Sequence, residues 1–315
     1  MRTVKMLAAL FLAAATPAAA PAQQLDLFSV GSGDLSGVYF SVARAVCRAF
    51  NARGRSDLRC SPEPTNGSVY NLVMLREREL DFALTQSDWQ RAAHEGHGPF
   101  ATDGPAPWLR SVASLYSEPI TVVARGDAGF RSTADLAGRR VDIGQYASGR
   151  NPTVRAMLAR MELDTSYFGV VTTHDPRRAI AELCTGRIDA AIFVVGHPNA
   201  LVAEAVDGCG ATLLPFVGPN VTRLARQHPD YSTVVIPQVY EGQAAPVSTL
   251  AVHATLVTRA DVDPNVVEGV VKALQEVRED LSSTVPQLTR SALPATATEG
   301  LVAPLHEGAA LRTDR

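Results

Sequence analysis

The chain has 315 residues, of which 46% are hydrophobic and 19% are charged, and its formal net charge is −3. These values are typical of an ordinary globular protein with one large or two medium-sized domains. The small negative charge disfavours binding to nucleic acids or acidic membranes, because both are polyanions. The composition therefore favours a small-molecule partner, and no nucleic acid is expected.

Residues 1–22 have the pattern of a cleavable signal peptide. Arg2 and Lys5 supply a positive start, residues 6–15 are apolar, and an A-x-A cleavage signal ends at Ala22. A membrane anchor is the alternative, but the apolar run is shorter than a helix that spans a bilayer. We therefore expect export, with cleavage after Ala22.

Four cysteines follow the predicted signal peptide: Cys47, Cys60, Cys184 and Cys209. An exported chain meets an oxidising compartment, so disulfides are expected, and four cysteines allow three pairings. We favour Cys47–Cys60 and Cys184–Cys209, because each pair closes a short local loop. Metal binding is the weaker alternative, because no C-x-x-C spacing occurs.

Two strand–helix units open the remaining chain. Residues 25–30 predict a strand, the glycine-rich residues 31–37 a turn, and apolar residues at helical spacing over 42–50 a helix. A second helix begins at residues 66–68, and residues 80–84 predict the next strand. Such alternation predicts an α/β fold with a parallel-rich sheet covered by helices on both faces.

Further strands and helices continue the α/β pattern. Strands are predicted at 111–115, 120–124, 140–143, 188–195 and 247–257. Helices are predicted at 135–139, from 149 onward, at 179–183 and at 262–281. Residues 116–119 separate the first two of these strands, and the strand at 120–124 is expected to cross from one lobe to the other.

Three strand-to-helix junctions have small residues at the start of the helix: residues 31–37, 66–68 and 147–149. Helix starts present unpaired N–H groups and the positive end of the helix dipole. Glycine and serine let a ligand approach the backbone closely. Together in one cleft, these junctions would bind an anion without a metal or a cofactor, although each one alone is better explained as an ordinary N-cap.

Aromatic residues and one arginine are further candidates for such a cleft. The hydroxyls of Tyr39, Tyr116 and Tyr146 and the indole of Trp89 can donate to a carboxylate, although a half-buried core position explains each one better alone. Arg150 stands at a predicted helix start, where the dipole disfavours a cation. A bound carboxylate would offset that repulsion, and a solvent-exposed arginine is the equal alternative.

Two other motifs fit their chemistry poorly. Gly31-x-Gly33 resembles a dinucleotide-binding turn, but the third glycine falls one position late, at Gly37. His94 and His97 resemble a metalloprotease motif that is one residue short, and they lie in a Gly/Pro-rich stretch. Neither a dinucleotide cofactor nor a catalytic metal is therefore expected.

An ordered set of short segments over residues 25–310 resembles a known family, the TAXI-type solute-binding subunits of tripartite ATP-independent periplasmic (TRAP) transporters. The segments are GSGDLSGVY at 31–39, TNGSVYN at 65–71, LDFALTQSD at 80–88, ASLYSEP at 113–119, DLAGR at 135–139, SG at 148–149, GRIDAA at 186–191, GHP at 196–198 and PLHEGA at 304–309. Each segment is weakly specific alone, and the ordered set is specific.

The resemblance implies a two-lobed periplasmic-binding-protein-like (type II) fold with a ligand cleft between the lobes and a hinge of crossing strands. Residues 25–117 with 247–315 would form lobe 1, and 118–246 lobe 2. The protein would be a periplasmic monomer that closes on a small carboxylate or dicarboxylate, such as glutamate, and delivers it to TRAP permease subunits in the membrane.

The resemblance also transfers ligand contacts to this chain. They are Gly33, Tyr39, Asn66, Gly67, Ser68, Gln86, Ser87, Tyr116, Ser148, Gly149, Thr153 and Gly196. Arg150 joins them on the dipole argument and departs from the family, which usually has a small residue or threonine there. That departure indicates an additional carboxylate or other anionic group on the ligand.

Two alternatives remain open at this stage. An ABC-type or sensor-linked receptor has the same fold, and fold alone does not separate these classes. An exported serine hydrolase using Ser148 or Ser68 needs a histidine and an acid near the serine in space. The first interpretation, a binding protein and not an enzyme, is the one that the sequence favours.

Overall fold

The computed structural model describes residues 26–54, 58–146, 148–228, 230–280, 285–289 and 298–310, so the predicted signal peptide lies outside the described residues. The strands are β1 Asp26–Gly31, β2 Leu58–Glu63, β3 Phe82–Gln86, β4 Leu109–Ala124, β5 Arg140–Asp142, β6 Val170–Thr172, β7 Ala190–Val194, β8 Thr212–Leu214, β9 Ser232–Ile236 and β10 Val247–Arg259. The α-helices are α1 Val38–Ala52, α2 Ser68–Arg76, α3 Ser87–Glu95, α4 Arg150–Arg160, α5 Pro176–Cys184, α6 Ala200–Ala203, α7 Pro219–Gln227, α8 Pro264–Glu279 and α9 Pro286–Thr289.

The strands form one mixed sheet in the order β2-β1-β3-β10-β4-β7-β5-β6, with β8 beside β4 and β9 beside β10. Strand β1 is parallel to β2 and β3, and β5 is parallel to β6 and β7. These parallel pairs follow from strand–helix–strand units, which need a crossover helix between parallel strands. Each half of the sheet therefore repeats the α/β pattern that the sequence predicts.

Two long strands, β4 and β10, join the two halves. Residues Leu109 to Pro119 of β4 pair with β10, whereas Ile120 to Ala124 pair with β7. Strand β10 likewise pairs with β9 at its start and with β3 at its end. The molecule consequently has two lobes joined by crossing strands, which confirms the predicted fold class.

The predicted break in β4 at residues 116–119 is wrong, because Leu109–Ala124 is one continuous strand. Proline lacks an N–H group and usually interrupts a central strand. Pro119, opposite Ala251, is the last residue of β4 paired with β10, and Ile120 begins the pairing with β7. The proline thus stands where the strand changes neighbours.

Each lobe has its own apolar core. In the first lobe, the ring centroid of Phe28 lies 4.8 Å from that of Phe50 and 5.4 Å from that of Phe82, between α1 and the sheet. In the second, β4 and β7 pack against α4, and Leu250 and Val252 of β10 join that core. We retain 25–117 with 247–315, and 118–246, as the proposed lobes.

Both predicted disulfides are present. Cys47–Cys60 ties α1 to β2, and Cys184–Cys209 ties the end of α5 to the residue after Gly208. Within the described ranges, no helix has both the length and the apolar character required to cross a membrane.

Candidate functional site

A cleft of about 180 Å³ lies between the two lobes. The starts of α1, α2 and α4 all reach it, so the three junctions singled out in the sequence meet around one space. Its walls include the predicted contacts Gly33, Tyr39, Asn66, Gly67, Ser68, Gln86, Ser148, Gly149 and Arg150.

The helix starts at the cleft differ in how they are capped. Helices α1, α2 and α4 follow Gly37, Gly67 and Gly149, and none of the three has a side-chain cap. By contrast, α5 and α6 are capped by the side chains of Asp175 and Asn199. A missing cap leaves the first N–H groups of a helix available to another acceptor. The three glycine-initiated helices therefore direct partial positive charge toward the cleft.

The starts of α2 and α4 come from opposite lobes and lie almost in contact. A Cβ atom added at Gly149 would stand 2.8 Å from Ser68 Oγ, closer than such atoms normally approach. A Cβ at Gly67, where φ is +100°, would lie 3.8 Å from the backbone nitrogen of Gly149. Glycine at position 149 thus allows the lobes to close to this distance.

Arg150 is buried, with only 8% of its surface exposed, so the solvent-exposed alternative is wrong. Its Nη2 donates to Asp142, and the guanidinium carbon lies 4.5 Å from the centroid of the Phe193 ring. Burial lowers the pKa of Arg150 to about 9, so the side chain is still charged at neutral pH. Its Nε and Nη1 groups have no hydrogen-bond partner within the described part of the chain.

The carboxylate that holds Arg150 has other partners. Asp142 Oδ2 accepts from the Thr172 hydroxyl and from the backbone N–H of His174, both at 2.8 Å, and Oδ1 accepts from Gly144 N–H at 3.1 Å. The Asp142 carboxyl therefore accepts from three donors besides Arg150. The arginine is fixed in place at the cleft while part of its donor capacity remains unused.

Glu118 is a cleft residue that the sequence analysis missed. It is 4% exposed, and its Oε2 accepts a hydrogen bond from the Tyr39 hydroxyl at 2.7 Å. Burial raises the pKa of Glu118 to about 8, with a smaller contribution from the nearby carboxyl of Asp88. The group is therefore largely protonated at neutral pH, despite the hydrogen bond from Tyr39, which favours its ionised form.

Four predicted contacts do not line the cleft: Ser87, Tyr116, Thr153 and Gly196. The Ser87 hydroxyl accepts from His253 N–H at 3.0 Å and donates to the Asp230 carbonyl at 3.2 Å. Tyr116 and Gly196 pack together, since a Cβ at Gly196 would lie 2.8 Å from the tyrosine ring.

The fourth of these residues, Thr153, connects the lobes. Its hydroxyl accepts from Trp89 Nε1 at 2.9 Å and donates to Asp88 Oδ2 at 2.7 Å. Trp89 is therefore an interlobe contact and not one of the cleft-lining aromatic residues. Tyr146 does not line the cleft either, and its exposed ring lies 5.3 Å from the guanidinium carbon of Arg155.

The sequence profile of the NMT1-like family matches residues 30–311. The chain belongs to the NMT1-like family.

Solved structures with this fold include two alkanesulfonate- or sulphonate-binding proteins called SsuA. The SsuA from Xanthomonas axonopodis pv. citri, bound to MOPS, is 15% identical over 88% of this chain and 84% of its own, with a TM-score of 0.52. The periplasmic SsuA from Escherichia coli is 14% identical over 89% and 85% of the two chains, with a TM-score of 0.50. At this level of identity the likeness establishes the fold of periplasmic binding proteins and no ligand.

In this NMT1-like protein, the two serines of the hydrolase alternative, Ser68 and Ser148, are hydrogen-bonded to other groups. Ser148 Oγ donates to the Gln145 carbonyl at 2.6 Å, and Ser68 Oγ contacts Gln86 through two hydrogen bonds. Across the ranges that the structure describes, neither hydroxyl is hydrogen-bonded to a histidine. The serine hydrolase alternative therefore gains no support from the geometry.

Several further cleft residues come from segments that gave no functional signal in the sequence: Gln145, His174, Pro176, Phe193, Val194, Val195, Asn199 and Leu201. Asp34 and Ser36 also line the cleft and belong to the junction at 31–37, although they were not predicted individually. The residues from the second lobe lie at or after the carboxyl ends of strands β5, β6 and β7, where the edge of a parallel sheet forms binding crevices in α/β folds. That general rule was the signal that could have identified them.

Proposed function

We propose that this protein is an exported, periplasmic solute-binding protein that encloses a small organic anion, a carboxylate or dicarboxylate, between its lobes. The observation that supports this most strongly is the buried Arg150, whose Nε and Nη1 lack partners in the described structure. Leaving the donors of a buried charged group unpaired costs free energy. A bound carboxylate would accept from one of these groups and reduce that cost.

The surroundings of Arg150 favour an anion as well. The uncapped starts of α1, α2 and α4 direct N–H groups into the same cleft. In a closed cleft with little water, such groups interact with a charge more strongly than they do in solvent. The protein would therefore bind an anion by fixed dipoles and one arginine, without a metal.

The transport partner is a separate part of the proposal. The family segments at 31–39, 65–71, 80–88 and 113–119 favour a TAXI-type subunit that delivers its ligand, as a monomer, to TRAP permease subunits. The ABC-type alternative has the same fold, so the fold shared with SsuA does not separate the two classes. A gene for a multi-span permease beside or fused to this one favours TRAP, and a gene for an ATPase or a histidine kinase favours the alternative.

The ligand class is tested by a thermal-shift screen of the mature protein. Dicarboxylates, monocarboxylates, alkanesulfonates, amino acids and sugars are compared, because a ligand that binds only the folded state raises the melting temperature. We expect organic anions to raise it and neutral sugars to leave it unchanged. Stabilisation by sugars alone contradicts the proposal.

The role of Arg150 is tested by calorimetry with the best anion. Replacing Arg150→Gln should weaken binding about 10- to 100-fold, since a hydrogen bond to a charged group contributes about 1.5–3 kcal/mol. Arg177→Gln removes an exposed arginine and serves as the control. The melting temperature without ligand and the variant Arg150→Lys separate lost recognition from lost folding. A folded Arg150→Gln protein with unchanged affinity removes Arg150 from the site.

A further inference from the structure

We infer that Glu118 is a specificity-determining residue that acts as a neutral acid and donates a hydrogen bond to a second acceptor oxygen of the ligand. This inference rests on the proposed function, in which Arg150 binds the first anionic group. As a neutral donor, Glu118 selects ligands that have two acceptor groups, such as dicarboxylates. It disfavours monocarboxylates and amino-substituted carboxylates.

The position of Glu118 is the first support. It lies on β4, one of the two strands that join the lobes, and it lines the same cleft as Arg150. No ion pair joins Glu118 to Arg150 or to another cation in the described ranges, so the arginine does not hold it ionised. The two residues therefore present two separate polar positions to a ligand.

The hydrogen bonding of Glu118 decides which oxygen faces the ligand. Tyr39 donates to Oε2, so a proton on the carboxyl group resides on Oε1. That oxygen has no hydrogen-bond partner among the described residues. A protonated Glu118 is therefore a donor with no acceptor, in a side chain that is 4% exposed and lies at the cleft wall.

Charge in the cleft supports the same assignment. Arg150 and His174 are the basic residues among the cleft residues that the structure describes, and Asp34 and Glu118 are the acidic ones. A second carboxylate of a ligand thus meets no second lysine or arginine in the described part of the cleft. It can be accommodated beside Glu118 if the glutamic acid retains its proton and donates it into the contact.

The titratable groups that face Glu118 come from three elements. They are Tyr39 from α1, Tyr116 from β4 and Asp88 from α3. Burial raises the pKa of both tyrosines, which stay neutral through the relevant range. Burial also raises the pKa of Asp88, to about 7. Where Asp88 is ionised, its negative charge further favours the protonated form of Glu118.

The test uses glutarate, pentanoate and 5-aminopentanoate as probes, with succinate and adipate for other lengths. Calorimetry should give tightest binding for a dicarboxylate, at least about tenfold tighter than for the matched monocarboxylate. Between about pH 7 and pH 9, the preference for the dicarboxylate over pentanoate should fall about tenfold as Glu118 loses its proton, whereas loss of charge on Arg150 near pH 9 weakens the binding of both ligands.

Two variants distinguish a neutral donor from an ionised acceptor. Glu118→Gln has an amide donor in place of the acid, so it should keep dicarboxylate affinity within about threefold at pH 7, and its preference for the dicarboxylate should no longer depend on pH. Glu118→Leu should bind the dicarboxylate no better than the monocarboxylate. Glu241→Gln, on the exposed surface, is the matched control. Melting temperatures without ligand verify that each variant is folded.

The outcomes separate the inference from the proposed function. The inference is overturned by equal affinity for mono- and dicarboxylates, by preference for 5-aminopentanoate, by loss of binding in Glu118→Gln, or by a dicarboxylate preference that still depends on pH in Glu118→Gln. If one of these results is obtained while anion binding still requires Arg150, the inference fails and the proposed function is unaffected. If no organic anion binds the wild-type protein at all, both fail.

Discussion

The indole N–H of Trp89 donates a hydrogen bond to the carbonyl oxygen of Gly149 at 3.0 Å. Trp89 belongs to α3 of the first lobe, and Gly149 immediately precedes α4 of the second. The contact therefore joins the lobes beside the cleft, and it places the start of α4 where Arg150 faces the same space as Tyr39 and Glu118. Interlobe bonding and the proposed ligand site are thus connected through α4.

Thr153→Val tests the interlobe hydrogen bonds with a substitution of nearly equal shape. Valine cannot accept from Trp89 or donate to Asp88, although Trp89 retains its bond to Gly149. We expect the free energy of unfolding to fall by about 1–3 kcal/mol, the cost of leaving a buried polar group unpaired. Urea denaturation measures it. Thr185→Val, whose exposed hydroxyl bonds only to its own helix end, should change stability little, and equal losses in the two variants contradict the prediction.

Gly149→Ala tests whether the lobes need close contact to bind ligand. The added methyl would overlap Gln86 Oε1 and would stand 2.8 Å from Ser68 Oγ, both of the other lobe, so it should hold the lobes apart. The backbone at Gly149 is helical, with φ of −66°, so alanine adds no backbone strain. We expect at least about tenfold weaker ligand binding with a smaller change in melting temperature.

Gly208→Ala is the matched control for Gly149→Ala, because nothing lies within 4 Å of its Cβ position. Calorimetry with the best anion from the screen measures both variants. Affinity that is unchanged in Gly149→Ala shows that binding does not require the observed approach of α2 and α4.

The stability of the protein should depend on pH through Asp88. Burial raises the pKa of Asp88 from 3.8 to about 7, so the folded state keeps this proton at pH values where the unfolded chain has lost it. Stability from this group is present at low pH and is lost as pH rises toward about 7 and above. The buried histidines titrate the other way, but their lowered pKa values confine that effect to pH below about 6.5.

Asp88→Asn isolates this contribution. Its oxygen still accepts from the Thr153 hydroxyl, but it has no proton to lose. Between about pH 6.5 and pH 8.5 the wild type should lose stability, and Asp88→Asn should lose less. The loss that remains in Asp88→Asn comes from Glu118, whose pKa is also raised. Urea denaturation at several pH values provides the slopes. Parallel slopes for the two proteins would show that Asp88 does not titrate in this range.

Elements whose signal lies in neighbouring residues were predictable from the sequence. The alternation of strands and helices, the glycine-rich starts of α1, α2 and α4, and the disulfides Cys47–Cys60 and Cys184–Cys209 all depend on short sequence separations. The continuous β4 was not predictable, because the effect of Pro119 depends on which strands lie beside it.

The sequence by itself determined an α/β chain with three small-residue helix starts suited to an anion, because helix dipoles, turns and caps are local properties. The tertiary structure alone decided which side chains face the cleft. Tyr39 and Glu118 are 79 residues apart, and Trp89 and Gly149 are 60 apart. Burial by distant segments sets the charge of Glu118 and the unused donors of Arg150, so these two residues acquire their chemistry only when the lobes are assembled.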